Sequence, residues 1–218
     1  MKRTISLFVI LAMITTVGSA QYFVEGSVYV DYNDTNVSLI DIVQNKKMSS
    51  DVNYNVSPTV GYQLNDDFAL GVKASFSARI YKRILQYDTG DIEFKESYPL
   101  WDFGVFCRYK LWGTKKLSLL VEGFVYIGGG NAKEKTGPIT KKTESRSSIG
   151  FNATPLVTYD ISDKWSIVTT FGFFNFLTLG SVTWKNEETG LKTKYDIFDF
   201  SADSSFSLNS RIGFIYYF

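Results

Sequence analysis

The last stretch of the chain, residues 206–218, reads FSLNSRIGFIYYF. Alternate positions Phe206, Leu208, Ser210, Ile212, Phe214, Tyr216 and Phe218 make an almost wholly apolar face. Ser207, Asn209, Arg211, Gly213, Ile215 and Tyr217 make a mixed face that carries a charge. A period of two with unlike faces is the mark of a strand between two different solvents. Seven upstream segments alternate in the same way: 22–30, 52–64, 68–80, 101–111, 117–127, 149–159 and 165–173. The cleanest sets Val52, Tyr54, Val56, Pro58, Val60, Tyr62 and Leu64 against Asn53, Asn55, Ser57, Thr59, Gly61 and Gln63. None of the eight apolar faces carries Asp, Glu, Lys or Arg. Each segment is near the ~9–11 residues that a tilted strand needs to cross a bilayer.

The connections alternate in length. Those at 65–67, 112–116 and 160–164 are short and hold turn residues. Those at 33–50, 82–97, 129–146 and 178–202 are long, charged and dotted with glycine. Short turns on one side and long loops on the other predict an all-β fold, an eight-stranded antiparallel up-and-down transmembrane β-barrel. The even strand count puts both termini on the short-turn side. A strand that ends on an aromatic leaves no bare edge when it closes such a barrel.

A soluble barrel would place the apolar face inside, so the polar face decides between the two. It is rich in Ser, Thr, Asn, Gly and Ala and poor in the Lys and Glu that cover a soluble surface. Small side chains suit a narrow lumen. The charges predicted to face that lumen are of both signs: Glu25, Lys73, Arg79, Arg108, Glu122 and Arg211. Buried charges persist when paired. Two pairs are expected: Glu25 with Arg211, where the first and last strands meet, and Arg108 diagonally with Glu122 across the 112–116 turn. They are read as structural networks. Pro58 and Pro155 each remove a ladder hydrogen bond, so a local bulge is expected at both.

The chain also echoes itself. PTVGYQLNDDFAL from Pro58 aligns with PLVTYDISDKWSI from Pro155, which puts Tyr62 on Tyr159 and Phe68 on Trp165. Tyr109 before Leu111 is a weaker third copy. Each tyrosine stands next to a short turn. Tyr62, Phe68, Tyr109, Tyr159 and Trp165 therefore predict an aromatic girdle on the periplasmic side, where a ring is apolar and a hydroxyl stays wet.

Composition adds limits. Residues 1–20 read as a signal peptide: Lys2 and Arg3, a mostly apolar run, then Gly18, Ser19 and Ala20, with cleavage between Ala20 and Gln21. The apolar run is short for a membrane anchor. The domains expected are thus a signal peptide over 1–20 and a barrel over 21–218. The chain has 23 basic and 22 acidic residues, and the cut removes two basic ones, leaving a near-neutral chain with no nucleic-acid signature. Aromatics reach 17% without any long apolar run after residue 20. Cys107 is the lone cysteine, so no internal disulfide forms; it reads as a small apolar side chain on the outer face.

The ending, with Arg211, Gly213, Tyr216 and Phe218, resembles the C-terminal assembly signal of bacterial outer-membrane barrels. The Pro-x-Val-x-Tyr segment and Gln21 at the cut resemble Bacteroidetes-type versions. Over the whole mature length the chain resembles the small eight-stranded outer-membrane barrels of OmpA/OmpX or "porin family" type, without OmpA's peptidoglycan-binding domain. The resemblance implies an outer-membrane location, contact with outer-membrane lipid and lipopolysaccharide, and the barrel-assembly machinery as a partner during biogenesis. Barrel enzymes of known type need a histidine, and this chain has none. Ser201 and Ser204 thus lack the usual base, and Asp199 and Asp203 read as solvated loop residues. No enzyme, cofactor or metal is expected. Two roles remain: a narrow channel for small or hydrophobic solutes, as in OmpW-like barrels, or a structural and surface-interaction protein displaying four loops. The second is preferred. The net-basic 133–146 loop offers itself to lipopolysaccharide phosphates or a surface partner.

Overall fold

A computed structural model describes residues 21–37, 47–87, 90–170, 174–202 and 211–218. Every regular element in them is a strand: β1 (Gln21–Val37), β2 (Lys47–Gln63), β3 (Phe68–Tyr87), β4 (Gly90–Gly113), β5 (Leu117–Thr136), β6 (Ile139–Asp160), β7 (Trp165–Thr170), β8 (Phe174–Asn186), β9 (Lys192–Ala202) and β10 (Ile212–Tyr217). Neighbours from β1 to β6 pair antiparallel in chain order. The ends of β6 pair with β7 and β8 in turn, so those two are successive halves of one ring position. Beyond them, β9 pairs with β8 and β10 with β7, which makes the last position. The ring closes where β10 meets β1, from Phe23 opposite Tyr217 to Val28 opposite Ile212. The expected eight-stranded antiparallel up-and-down barrel is the observed architecture. Residues 1–20, with Ala20, lie outside the described residues, as do 171–173 of the expected seventh strand and 203–210 ahead of the last.

The three short turns share one device. Asn65 Oδ1 accepts from the N–H groups of Asp67 and Phe68 at 2.9 Å each. Thr114 Oγ1 does the same for Lys116 and Leu117, and Ser162 Oγ for Lys164 and Trp165. A short polar side chain thus satisfies two amides that the reversing backbone leaves without a ladder partner.

Four long loops were expected, and most of that sequence is sheet. The β5–β6 ladder runs to Thr136 opposite Ile139, leaving a two-residue turn with Gly137 at φ 58°. β3 pairs with β4 up to Tyr87 opposite Gly90. The segment 178–202 forms a β8–β9 hairpin capped by Asn186, whose Oδ1 accepts from Glu188 and Thr189. Toward their tips, as at 133–135 and 139–142, these extensions are exposed on both faces, so they carry no apolar alternation to read, while their backbone pairing continues.

The prolines also differ from expectation. Beside Pro58 the β2–β3 ladder skips from Val56 opposite Phe76 to Thr59 opposite Lys73 in the same register, a gap with no extra residue. Beside Pro155 the register does change: Leu156 faces Thr170 on β7, while Ala153 faces Leu177 on β8. Residues 171–173, between these two pairings, lie outside the described residues.

Inside, Phe23, Ala69, Phe106, Phe124, Leu156, Val168 and Ile215 pack into one buried layer. Glycines make room for it. The Phe23 ring lies over Gly61, its cross-strand neighbour. A methyl group at Gly71 would stand 2.8 Å from the Phe106 ring. Outside, Val60 is 52% exposed, and Phe76 and Phe214 53% each. Cys107 is exposed and free on the same face.

Candidate functional site

The lumen holds the chemistry that the alternation buries. Glu25, Lys73, Arg108 and Glu122 are all buried. Lys73 Nζ donates to Glu122 Oε1 at 2.5 Å. Arg108 donates from Nε and Nη2 to Glu122 Oε2, at 2.8 and 2.7 Å. Its Nη2 also lies 2.6 Å from Glu25 Oε2. The Arg108 guanidinium stands over the Phe106 and Phe23 rings at 5.0 and 5.7 Å, and the Lys73 ammonium over Phe124 at 5.2 Å. The cations thus rest on the faces of the apolar layer, where ring quadrupoles help replace lost water.

Several expected placements change. Arg108 sits directly opposite Glu122, not diagonally. Glu25 pairs with Arg108 from across the lumen, not with Arg211. Closure register explains this: Val28 faces Ile212 and Glu25 faces Ile215, so Arg211 stands about four residues above Glu25 along the seam. Arg211 makes no ion pair within 4.0 Å among the described residues. Arg79 leaves the enclosed lumen; it bonds Asp51 through Nε and Nη2 with a side chain 62% exposed. Asp51 was not marked in the sequence, because one carboxylate at a strand end carries no pattern.

A wet vestibule lies at each end. The short-turn end holds about 500 Å³, lined among others by Gln21, Asp66, Arg108, Lys110, Lys116 and Asp160. The opposite end holds about 530 Å³ between Tyr29, Asn53, Arg79, Tyr98, Arg146 and Arg211. Between them the ionic cluster leaves a gap of only about 10 Å³, room for roughly one water. Among the described residues, the ionic cluster and the apolar layer fill the middle of the lumen.

The girdle residues cluster at the short-turn rim. Tyr62 meets Tyr22 at 4.8 Å between ring centroids, and Trp165 meets Tyr216 at 4.9 Å. Phe68 lies opposite Tyr109, and Tyr159 opposite Leu117. Tyr22 belongs to this rim and was missed, since it lies outside the internal echo. Among the ending's residues, Gly213 abuts Ser27 and the Gly26 carbonyl. Phe218 stacks edge-on to Tyr216 at 5.1 Å, donates its N–H to Tyr22 O, and accepts from Gln21 Nε2 on its own carbonyl.

Above the apolar band, the hairpins carry their own ion pairs. Glu187, at the β8–β9 turn, accepts from Ser145 at 2.7 Å and lies 3.1 Å from Lys142 and 3.3 Å from Lys185. The Ser145 hydroxyl and these two ammonium groups hold its carboxyl down to about 2, from an ordinary 4.5. A depressed carboxyl stabilises the folded turn above its ordinary value and loses that contribution as pH falls toward 2. Amide exchange over 187–191, corrected for intrinsic rates, is expected to quicken between pH 5 and 2 in the native chain. The Glu187→Gln variant is expected to show no such rise.

Among the described residues, no group of three or more His, Cys, Asp or Glu is placed to hold a metal. No helix is long and apolar enough to cross a membrane, which says nothing of strands. No protein-family model and no curated protein matches the sequence. Among solved structures, the chain is similar to a major outer membrane protein from Thermus thermophilus at 12% identity and a TM-score of 0.47, over 92% of this chain and 100% of that one. It is also similar to Ail, the attachment invasion locus protein of Yersinia pestis, at 12% identity and 0.38, over 91% and 98%. Neisserial surface protein A, NspA, is similar at 11% identity and 0.38, over 92% and 99%. None of these likenesses bears on what the chain does.

Proposed function

We propose that this chain is an integral outer-membrane β-barrel protein, a closed plug whose long hairpins face the cell exterior and serve a structural or surface-interaction role. One observation carries the reading. Charge-free apolar side chains such as Val60, Phe76 and Phe214 face outward and exposed, while Glu25, Lys73, Arg108 and Glu122 are shut inside. In water, that arrangement is inside out, because large contiguous apolar patches are rare on soluble monomers. In a bilayer it is the expected one. The outward run from Phe68 to Ile80 spans roughly 40 Å of strand at ~3.3 Å per residue, close to 30 Å tall once tilted by about 40°.

Fractionation with a heat-modifiability gel tests this. The folded chain is expected in the membrane fraction and to migrate differently before and after boiling. Recovery as a soluble periplasmic protein overturns the proposal. A narrow channel is the second reading, favoured only by the vestibules at both ends. The packed middle opposes it, and a planar bilayer holding the purified barrel is expected to show no discrete conductance steps.

A further inference from the structure

The outer wall changes character abruptly above the apolar band. On β3, the outward positions run from Phe76 through Ala78 and Ile80 to Lys82. Lys82 lies directly opposite Lys95 on β4, and Lys95 directly opposite Lys135 on β5. Two further like pairs follow on the same face: Lys133 opposite Lys142 between β5 and β6, and Lys185 opposite Lys192 between β8 and β9. Lys194 is next along β9.

Like charges directly opposite in a sheet destabilise it, yet two such pairs and a triplet share this wall. The carboxylates on the same wall are fewer than the lysines: Glu93 stands two residues along β4 from Lys95 without an ion pair among the described residues. Glu187 serves both Lys142 and Lys185, and Asp196 serves Lys194. Lys82, Lys95, Lys133, Lys135 and Lys192 make no ion pair among the described residues. The other end of the barrel shows no such excess; its turns mix Asp66, Asp67 and Asp163 with Lys115, Lys116 and Lys164.

We propose that this wall, from β3 round to β9, is a docking surface for the phosphate groups of lipid headgroups in the leaflet that surrounds the barrel. This rests on the membrane reading above. The occupant follows from charge and position. On β3 Lys82 is the next outward residue after Ile80; on β4, β5, β6 and β8 one or two small or polar outward residues stand between the apolar band and the lysine. A basic cluster just above an apolar band attracts anionic headgroups. Bridging phosphates relieve the repulsion that the register imposes.

The test uses the full barrel refolded in zwitterionic detergent micelles. The probes are lipid A carrying both phosphates and its dephosphorylated form. The native chain is expected to bind the phosphorylated lipid at least tenfold more tightly than the dephosphorylated one. The Lys82→Gln/Lys95→Gln/Lys135→Gln variant is expected to lose that preference. A Lys115→Gln/Lys116→Gln variant, at the opposite rim, is expected to keep it. Thermal stability gives an independent readout: without lipid A the triple variant melts above the native chain, and with it the order reverses. Equal binding of both lipids, an unchanged triple variant, or a melting order indifferent to lipid A overturns the proposal. Any of these in a chain that still inserts into membranes leaves the membrane reading standing; recovery in the soluble fraction fails that reading itself.

Discussion

Replacing Glu122 by alanine is expected to destabilise the barrel by about 3–5 kcal/mol, the cost of breaking a buried ion pair from one side. Glu122 receives Lys73 on one oxygen and Arg108 on the other. Its loss leaves Lys73 with no ion-pair partner among the described residues, since that is its one salt bridge there. Arg108 keeps Glu25. The mirror substitution, Glu25→Ala, is expected to cost less, because Arg108 then keeps both hydrogen bonds to Glu122. A Lys73→Met/Glu122→Leu double variant is expected to recover most of the loss, since removing both partners leaves no stranded charge on that side. Urea unfolding in micelles, followed by tryptophan fluorescence, ranks the three. Equal losses for Glu25→Ala and Glu122→Ala would refute the claim that Glu122 is the hub.

Phe76→Arg is the second large effect. Phe76 lies near the middle of the outward apolar run, and its ring is half exposed. An arginine at mid-depth on a lipid face costs about 2–4 kcal/mol, falling to about 0–1 near the interfaces. Ser97→Arg, outward and opposite Ile80 at the upper edge of the band, is therefore expected to be nearly silent. On a soluble barrel both changes would fall within about 0.5 kcal/mol, as surface substitutions do. Unfolding from lipid vesicles, compared for the two variants, reads the depth dependence directly. Two flat results would place this face in water.

Much of the barrel was legible from residue order. Alternation is a local property: side chains along a strand point to opposite faces whatever the strand pairs with. The absence of charge along Val52 to Leu64 and Phe68 to Ile80 therefore named the outward face before any partner was known. The short turns were legible for a similar reason, since Asn65, Thr114 and Ser162 each satisfy amides two and three residues on.

Pairing across the ring was not local. Glu25 and Arg211 sit on strands that do meet, yet closure sets their register about four residues apart, and Arg108 reaches Glu25 over the lumen instead. Strand length escaped as well. Above the band, Lys133 to Thr136 and Ile139 to Lys142 have water on both sides, so only backbone hydrogen bonding, which leaves no trace in side-chain polarity, extends the ladder there.

The sequence by itself determined the strand period, the count of eight ring positions and which face is apolar, because each follows from neighbours along one strand. Only the tertiary structure decided which charges share Glu122, which side chains fill the middle of the lumen, and that lysines from successive strands line up on one wall. Those depend on how far each strand slides against the next when the sheet is bent into a ring, a quantity no single strand carries.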